Sequence, residues 1–276
     1  MKYLIALALC VVVAAATTYE RPPIATIEEL EVSSNPRIIS GKPAAPGQFK
    51  HQVANRFKVS GGTAFCGGSL ISDRWVLTAG HCAKDATHFT LYLGSVNQSQ
   101  PVEQGRVVVE TAEKYVHPSY NPFTLANDIA LVRLQKPVNF TDRIQPISLA
   151  SHNTPANKTL TVSGWGKTSD ASNSVSPVLN YVELDAISNP DCAKVYGSLT
   201  VTNGTICCKG RPEHSTCNGD SGGPLIEKVN NTWVQVGVVS FVHRAGCASG
   251  NPSGYARVQY YLDWITQITG GAFISA

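Results

Sequence analysis

Charge is scarce in this chain. Asp, Glu, Lys and Arg make up 15% of the 276 residues, and the formal balance of +3 is scattered, with no dense Lys/Arg run. That pattern argues against an electrostatic nucleic-acid partner. Long apolar runs are also missing beyond the first 16 residues, so no later segment is built to span a bilayer. The cysteines are widely spaced with no Cys-x-x-Cys pair, which disfavours a zinc centre. No internal repeat occurs. Hydrophobic residues, by contrast, reach 43%, enough at this length for one large or two ordinary domains with sizeable cores.

What is present begins with a secretory pattern. Lys2 gives a positive start, residues 4–13 an apolar stretch, and Ala14-Ala15-Ala16 a small-residue cleavage site. Residues 17–21 end the run too early for a membrane helix. The expectation is a secreted, extracellular protein that loses residues 1–16, and Cys10 with them. Cys66, Cys82, Cys192, Cys207, Cys208, Cys217 and Cys247 remain. In an oxidising compartment most of these pair, and an odd number leaves one over. Five Asn-x-Ser/Thr sites, at Asn97, Asn139, Asn157, Asn203 and Asn230, are acceptors for sugar in such a chain.

Residues 17–37 are Pro-containing and acidic, through Glu20, Glu28, Glu29 and Glu31, and end in Asn35-Pro36-Arg37. Ile38-Ile39-Ser40-Gly41 follows. A basic residue before an apolar start suits a proteolytic cut, although an ordinary disordered leader has the same composition. Beyond Ile38, β-rich runs at 75–78, 89–93, 106–110, 129–134, 160–162, 178–184, 233–241 and 254–258 are separated by turn residues. Such spacing predicts an all-β sandwich or barrel, with 136–146 as the connection between two halves. One helix is expected over 259–269, where Leu262, Ile265 and Ile268 fall at helical spacing before Gly270-Gly271.

Chemistry concentrates in Cys217-Asn218-Gly219-Asp220-Ser221-Gly222-Gly223-Pro224. By composition it is a tight turn. Its glycines would also let the backbone present Ser221 and aim N–H groups at one point. A serine nucleophile needs a base, and seven histidines are on offer: His51, His81, His88, His117, His152, His214 and His243. His81 stands apart. It follows the apolar Trp75-Val76-Leu77 and the small Thr78-Ala79-Gly80, and a disulfide from Cys82 to Cys66 would hold it at a rigid strand end. Asp128 opens Asp128-Ile129-Ala130-Leu131-Val132-Arg133-Leu134, a carboxylate at the mouth of an apolar strand, or else an exposed loop aspartate. The order His, Asp, Ser is that of the chymotrypsin arrangement.

These motifs, with Gly164-Trp165-Gly166, make the chain from Ile38 to about Ile268 resemble the chymotrypsin family of serine proteases. The resemblance implies an all-β domain over 38–270. Two six-stranded antiparallel β-barrels, at about 38–145 and 146–258, would flank a catalytic cleft, with a C-terminal α-helix at about 259–269. It implies Ser221 as nucleophile, His81 as general base and then acid, Asp128 as orienting carboxylate, and the Gly219 and Ser221 N–H groups as oxyanion hole. Residues 17–37 become an activation propeptide: a cut after Arg37 frees the Ile38 amino group to pair with Asp220. The implied disulfides are Cys66–Cys82, Cys192–Cys207 and Cys217–Cys247, leaving Cys208, for which a buried free thiol is the simplest fate. The implied partners are protein or peptide substrates, an activating trypsin-like protease and protein protease inhibitors. No cofactor is implied.

Departures from the family pattern carry the specificity. Gly80 stands where many relatives have Ala, and Ser40 replaces a common Gly; neither removes a catalytic group. Ser95-Val96-Asn97 follows Leu93-Gly94 where a calcium loop needs a carboxylate, so no such metal site is expected. Ser215, at the floor of the primary pocket, carries no charge to meet Lys or Arg, which disfavours trypsin-like cleavage. Ser240-Phe241-Val242 stands where many relatives have Ser-Trp-Gly, so Val242 narrows the entrance. Ser253 faces it, or Gly254 if the alignment shifts by one. Together these resemble an elastase pocket for small or medium apolar side chains, with open chymotrypsin-like specificity the runner-up. A rival of another class is a catalytically silent protease-like binding or regulatory protein. Such homologues usually lack a triad member, and all three are present here.

Overall fold

The structure, a computed structural model, describes residues 22–25, 41–167, 174–209, 216–217 and 220–276. Two short strands come first, β1 (Ile24–Ala25) and β2 (Lys42–Pro43). Then β3 (Gln52–Val59), β4 (Gly62–Leu70), β5 (Trp75–Thr78), β6 (His88–Leu93), β7 (Val107–Thr111), β8 (Lys114–Val116) and β9 (Ala130–Arg133) form one antiparallel sheet, in the order β7-β6-β3-β4-β5-β9-β8. Because β7 and β8 are one strand interrupted by Ala112 and Glu113, this sheet has six effective strands and its two ends are contiguous in the chain. Its inward face follows the period of two: in β6, Phe89, Leu91 and Leu93 are buried while His88, Thr90 and Tyr92 are half-buried.

The second sheet contains β10 (Ser148–Leu149), β11 (Thr159–Gly164), β12 (Asn180–Ile187), β13 (Thr205–Lys209), β14 (Pro224–Val229), β15 (Thr232–His243) and β16 (Ser253–Arg257). β16 pairs with both β13 and β15, so β15, β14, β11, β12, β13 and β16 close into a ring. The two-residue strands β1, β2 and β10 attach to its outside. Ring closure leaves no free ladder edge in the body of the sheet. Both sheets are thus barrel-like, as expected. A continuous apolar cluster runs from Val53, Leu77 and Leu131 of the first to Trp165, Ile226 and Val238 of the second. Polar rivets cross the same seam: Ser163 Oγ donates to Gln52 Oε1 and Ser69 Oγ to Gln235 Oε1, each at 2.6 Å.

The expected C-terminal helix is present with a later start. A 3₁₀ turn (Val258–Tyr261) precedes helical residues Leu262–Thr269, and Gly270 at φ 66° ends them. Two further helices were not foreseen. Gly80–Ala83 (α1) is a single turn, and Asn189–Tyr196 (α2) is capped by Ser188, whose side chain accepts from the Asp191 N–H; the C-terminal helix is α3. The disulfides Cys66–Cys82, Cys192–Cys207 and Cys217–Cys247 are formed, and Cys208 is a buried free thiol. Among the described residues no helix is long and apolar enough to cross a membrane. Asn139, Asn157, Asn203 and Asn230 are exposed, whereas Asn97 is half-buried and its Oδ1 accepts from Ser99.

Candidate active site

His81 sits in α1, directly after β5 delivers the chain to the barrel seam. The first turn of a helix leaves N–H groups without intrahelical partners, and Asp128 takes one of them: the His81 backbone N–H donates to Oδ1 at 2.8 Å. The other oxygen, Oδ2, lies 2.7 Å from His81 Nδ1. A carboxylate only accepts, so Nδ1 carries the proton and Nε2 of the neutral ring is left as a base. Asp128 is 1% exposed, and a third donor reaches it from the other barrel, Ser240 Oγ at 2.6 Å from Oδ2. Three hydrogen bonds thus hold the buried carboxyl group in place. Just before it, Leu125 and Asn127 hold left-handed backbone at φ 54° and 56°, a strained turn that Asn127 stabilises by donating to the Ser119 carbonyl. Gly80 lies under the same acid. A Cβ there would stand 3.1 Å from Asp128 Oδ1 and 3.2 Å from the Tyr120 ring, so the residue change expected to be minor falls at a tight contact.

Ser221 belongs to the second barrel. Its carbonyl accepts the Gly67 N–H of the first barrel at 2.7 Å, and Gly222 N–H donates to Val239 at 2.8 Å. Gly222 is left-handed at φ 75°, and a Cβ on it would collide with Thr78 and Gly67. Gly67 meets Gly223 just as closely, so both barrels need glycine where the nucleophile loop is pinned. Ser221 Oγ is buried and makes no hydrogen bond with any described residue.

Asp220 is buried against backbone. Gly166 N–H donates to Oδ1 and Cys217 N–H to Oδ2, both at 2.9 Å. A Cβ on Gly164 or Gly166 would overlap this carboxylate, which accounts for the glycines on either side of Trp165. No ion pair reaches Asp220 among the described residues. Burial pushes its pKa up to about 7, with the two N–H donors pulling the other way. The expected partner Ile38 lies outside the described residues, as do Arg37, Gly219 and Ser215.

Of the expected pocket positions, Ser240, Val242 and Ser253 are each 2% exposed. The Ser240 side chain is taken up by Asp128, so this residue offers a pocket only its backbone. Ser253 Oγ is 2.8 Å from the Tyr255 hydroxyl. Gly254 pairs with Phe241, and the Phe241 ring covers its α-carbon so closely that a Cβ would overlap it. An acid that sequence reasoning passed over closes the loop after Gly94: Glu103 accepts from Ser95 Oγ at 2.6 Å and from the Val96 N–H at 2.8 Å.

Ser240, Gly67, Gly164 and Gly166 are thus site residues that the sequence reading did not weigh in these roles. The sequence showed two of these glycines in Gly164-Trp165-Gly166, and Ser240 only as a pocket position.

With this geometry in view, comparisons with known proteins agree among themselves. A family model described as Trypsin matches residues 38–265. Brachyurin of Leptuca pugilator is 40% identical over 233 residues, covering 84% of this chain and 99% of that protein. Collagenase of Hypoderma lineatum is 40% identical over 281 aligned positions, covering 99% of this chain and 100% of that protein. A solved structure of HL collagenase at 1.7 Å superposes with a TM-score of 0.76 at 40% identity, covering 84% of this chain and 98% of that one. The chain belongs to the trypsin family and is a serine endopeptidase of the chymotrypsin type.

Proposed function

We propose that Ser221, His81 and Asp128 carry the peptide hydrolysis. The observation that bears most weight is the threefold hold on Asp128, by His81 Nδ1, the His81 N–H and Ser240 Oγ, which fixes the imidazole with Nε2 on the side away from the carboxylate, as base. Ser221 Oγ attacks the scissile carbonyl carbon while Nε2 takes its proton. The tetrahedral oxyanion is met by the N–H groups of Gly219 and Ser221. Nε2 then returns the proton to the leaving amine, and water repeats the cycle on the acyl-enzyme.

The same reading makes the chain a secreted precursor. Residues 1–16 are its signal peptide and 17–37 its propeptide, and a trypsin-like protease cuts after Arg37. The new Ile38 ammonium supplies the cation that buried Asp220 otherwise lacks, and so orders the loop bearing Gly219 and Ser221. The catalytic domain spans 38–270. Protein protease inhibitors are partners of such a cleft. Uncharged Ser215 and the bulk of Val242 support cleavage after small or medium apolar residues, with Phe or Tyr as the competing preference. Matched peptides with Ala, Val, Leu, Phe, Tyr or Arg before the scissile bond, and fibrillar collagen because of the names its relatives bear, form the deciding panel. Faster cleavage after Ala, Val and Leu is expected; a clear preference for Phe refutes the narrowed pocket. A serine-directed phosphonate that leaves processed chain unlabelled at Ser221 would return the binding-protein reading.

A further inference from the structure

Part of the leader is built into the second barrel. β1 runs antiparallel to the end of β15, with Ile24 opposite His243 and Ala25 opposite Val242. The Arg244 N–H donates to the Pro23 carbonyl at 3.3 Å. At these positions β15 has outrun its other ladders, since its register with β14 ends at Val238 and with β16 at Phe241. Val242 and His243 would otherwise present an open strand edge, the kind of edge to which an extended peptide adds.

The side chains dock as well. Ile24 is 3% exposed and Ala25 5%, and Ile24 joins an apolar cluster with Leu125, Tyr196 and Phe241. Leu125 lies three residues before Asp128, and Phe241 adjoins Ser240, which donates to Asp128. The pocket thus abuts the candidate active site, and the antiparallel register sends the leader toward it, from His243 in the direction of Ser240. Pro22 and Pro23 cannot donate to a ladder, and the Ile24 N–H turns back to the Pro22 carbonyl at 2.7 Å, so the strand ends there on its outer side.

We propose that the edge of Val242 and His243, with the apolar pocket beside Leu125 and Phe241, is a binding site for the chain's own leader. The leader is a tethered inhibitor before the cut and a competitive one after it. The inference takes the cut after Arg37 from the preceding section. Residues 17–37 contain no cysteine, so nothing covalent retains the leader once it is cut, and its affinity rests on this strand and pocket. The leader also carries four glutamates against two arginines, and it lies beside His243 and Arg244.

Two arms test this, the second of them without any activity. Synthetic leader peptide 17–37 should inhibit processed enzyme competitively, and the peptide with Ile24→Asp should be weaker by about tenfold or more. In the uncut precursor carrying Ser221→Ala, Ile24→Asp should speed hydrogen exchange at the Arg244 amide about tenfold. That second reading needs neither cutting nor catalysis, so an inactive processed chain would count against the proposed function while leaving the site open to measurement. Absent or noncompetitive inhibition in active enzyme overturns the inhibitor role, and unchanged exchange at Arg244 overturns the site.

Discussion

The two halves of the candidate site are held in different ways. On the first barrel, the His81–Asp128 pair is complete: strand end, helix turn and disulfide place the imidazole, and Asp128 has three hydrogen-bond donors. On the second barrel, Ser221 Oγ makes no hydrogen bond to a described residue, and Asp220 is buried with backbone donors and no countercharge among them. One half is set by local covalent geometry and ladder register, with one hydrogen bond added from the second barrel by Ser240 Oγ. In the proposed reading the other gains an electrostatic partner only with the cut after Arg37. The comparison assigns different failures to each half: damage to the first should remove chemistry from a well-folded protein, whereas damage to the second should look like failed maturation.

The largest effect tests the first half. Asp128→Asn should lower kcat/KM of processed enzyme about 10⁴-fold, since an amide no longer selects the Nδ1–H tautomer, with little change in the thermal midpoint. Steady-state kinetics and a melting curve read both; near-wild-type rates would remove Asp128 from the account. Next comes Gly166→Ala. Its Cβ overlaps the Asp220 carboxylate, so processed enzyme should lose about 10²-fold in kcat, as for a lost oxyanion donor. It should also lose about 1–3 kcal/mol of stability from overpacking. A variant with normal kcat would show that Asp220 can be displaced without consequence. Ser240→Ala is smaller, about tenfold in kcat/KM, because it removes one hydrogen bond to a buried charge and leaves His81 paired. Its partial rescue by Ser240→Thr would separate lost bonding from a general packing defect.

A further effect, read in stability rather than in rate, is a pH drift. In the uncut precursor Asp220 holds its proton up to about pH 7, whereas in the unfolded chain an aspartate releases it near pH ~4. Between those values the native state binds more protons, so the precursor's stability should fall as pH rises through the window. Processed chain, with an ammonium beside Asp220, should lack that decline. Urea titrations of both forms from pH 4 to 7 check it, and parallel curves would mean that Asp220 gains no charged partner on cutting.

Much of this was legible in the residues themselves. Phe89, Leu91 and Leu93 announce their strand by alternation, and the motifs around His81, Asp128 and Ser221 are contiguous and local. The strands over 52–59 and 62–70 were harder to see. The first is interrupted by Asn55 and Arg56, while Gly67 and Gly68 weaken the strand pattern of the second, and Gly67 exists to let Gly223 approach. The helix at Asn189–Tyr196 had a readable Ser188 cap, but too few apolar residues to show a face. Ser240 could not be found in advance as a support for Asp128. That bond spans 112 residues and forms only when the barrels meet.

The contrast between the halves reduces to whether Ser221 is competent before the cut. The direct measurement is the rate at which a fluorescent phosphonate labels Ser221, in an uncuttable Arg37→Ala precursor and in processed chain freed of its leader. The account predicts at least about a 10²-fold faster reaction in the processed chain, the scale of an assembled oxyanion hole. Equal rates would contradict it, because the nucleophile half would then be complete without its ionic partner.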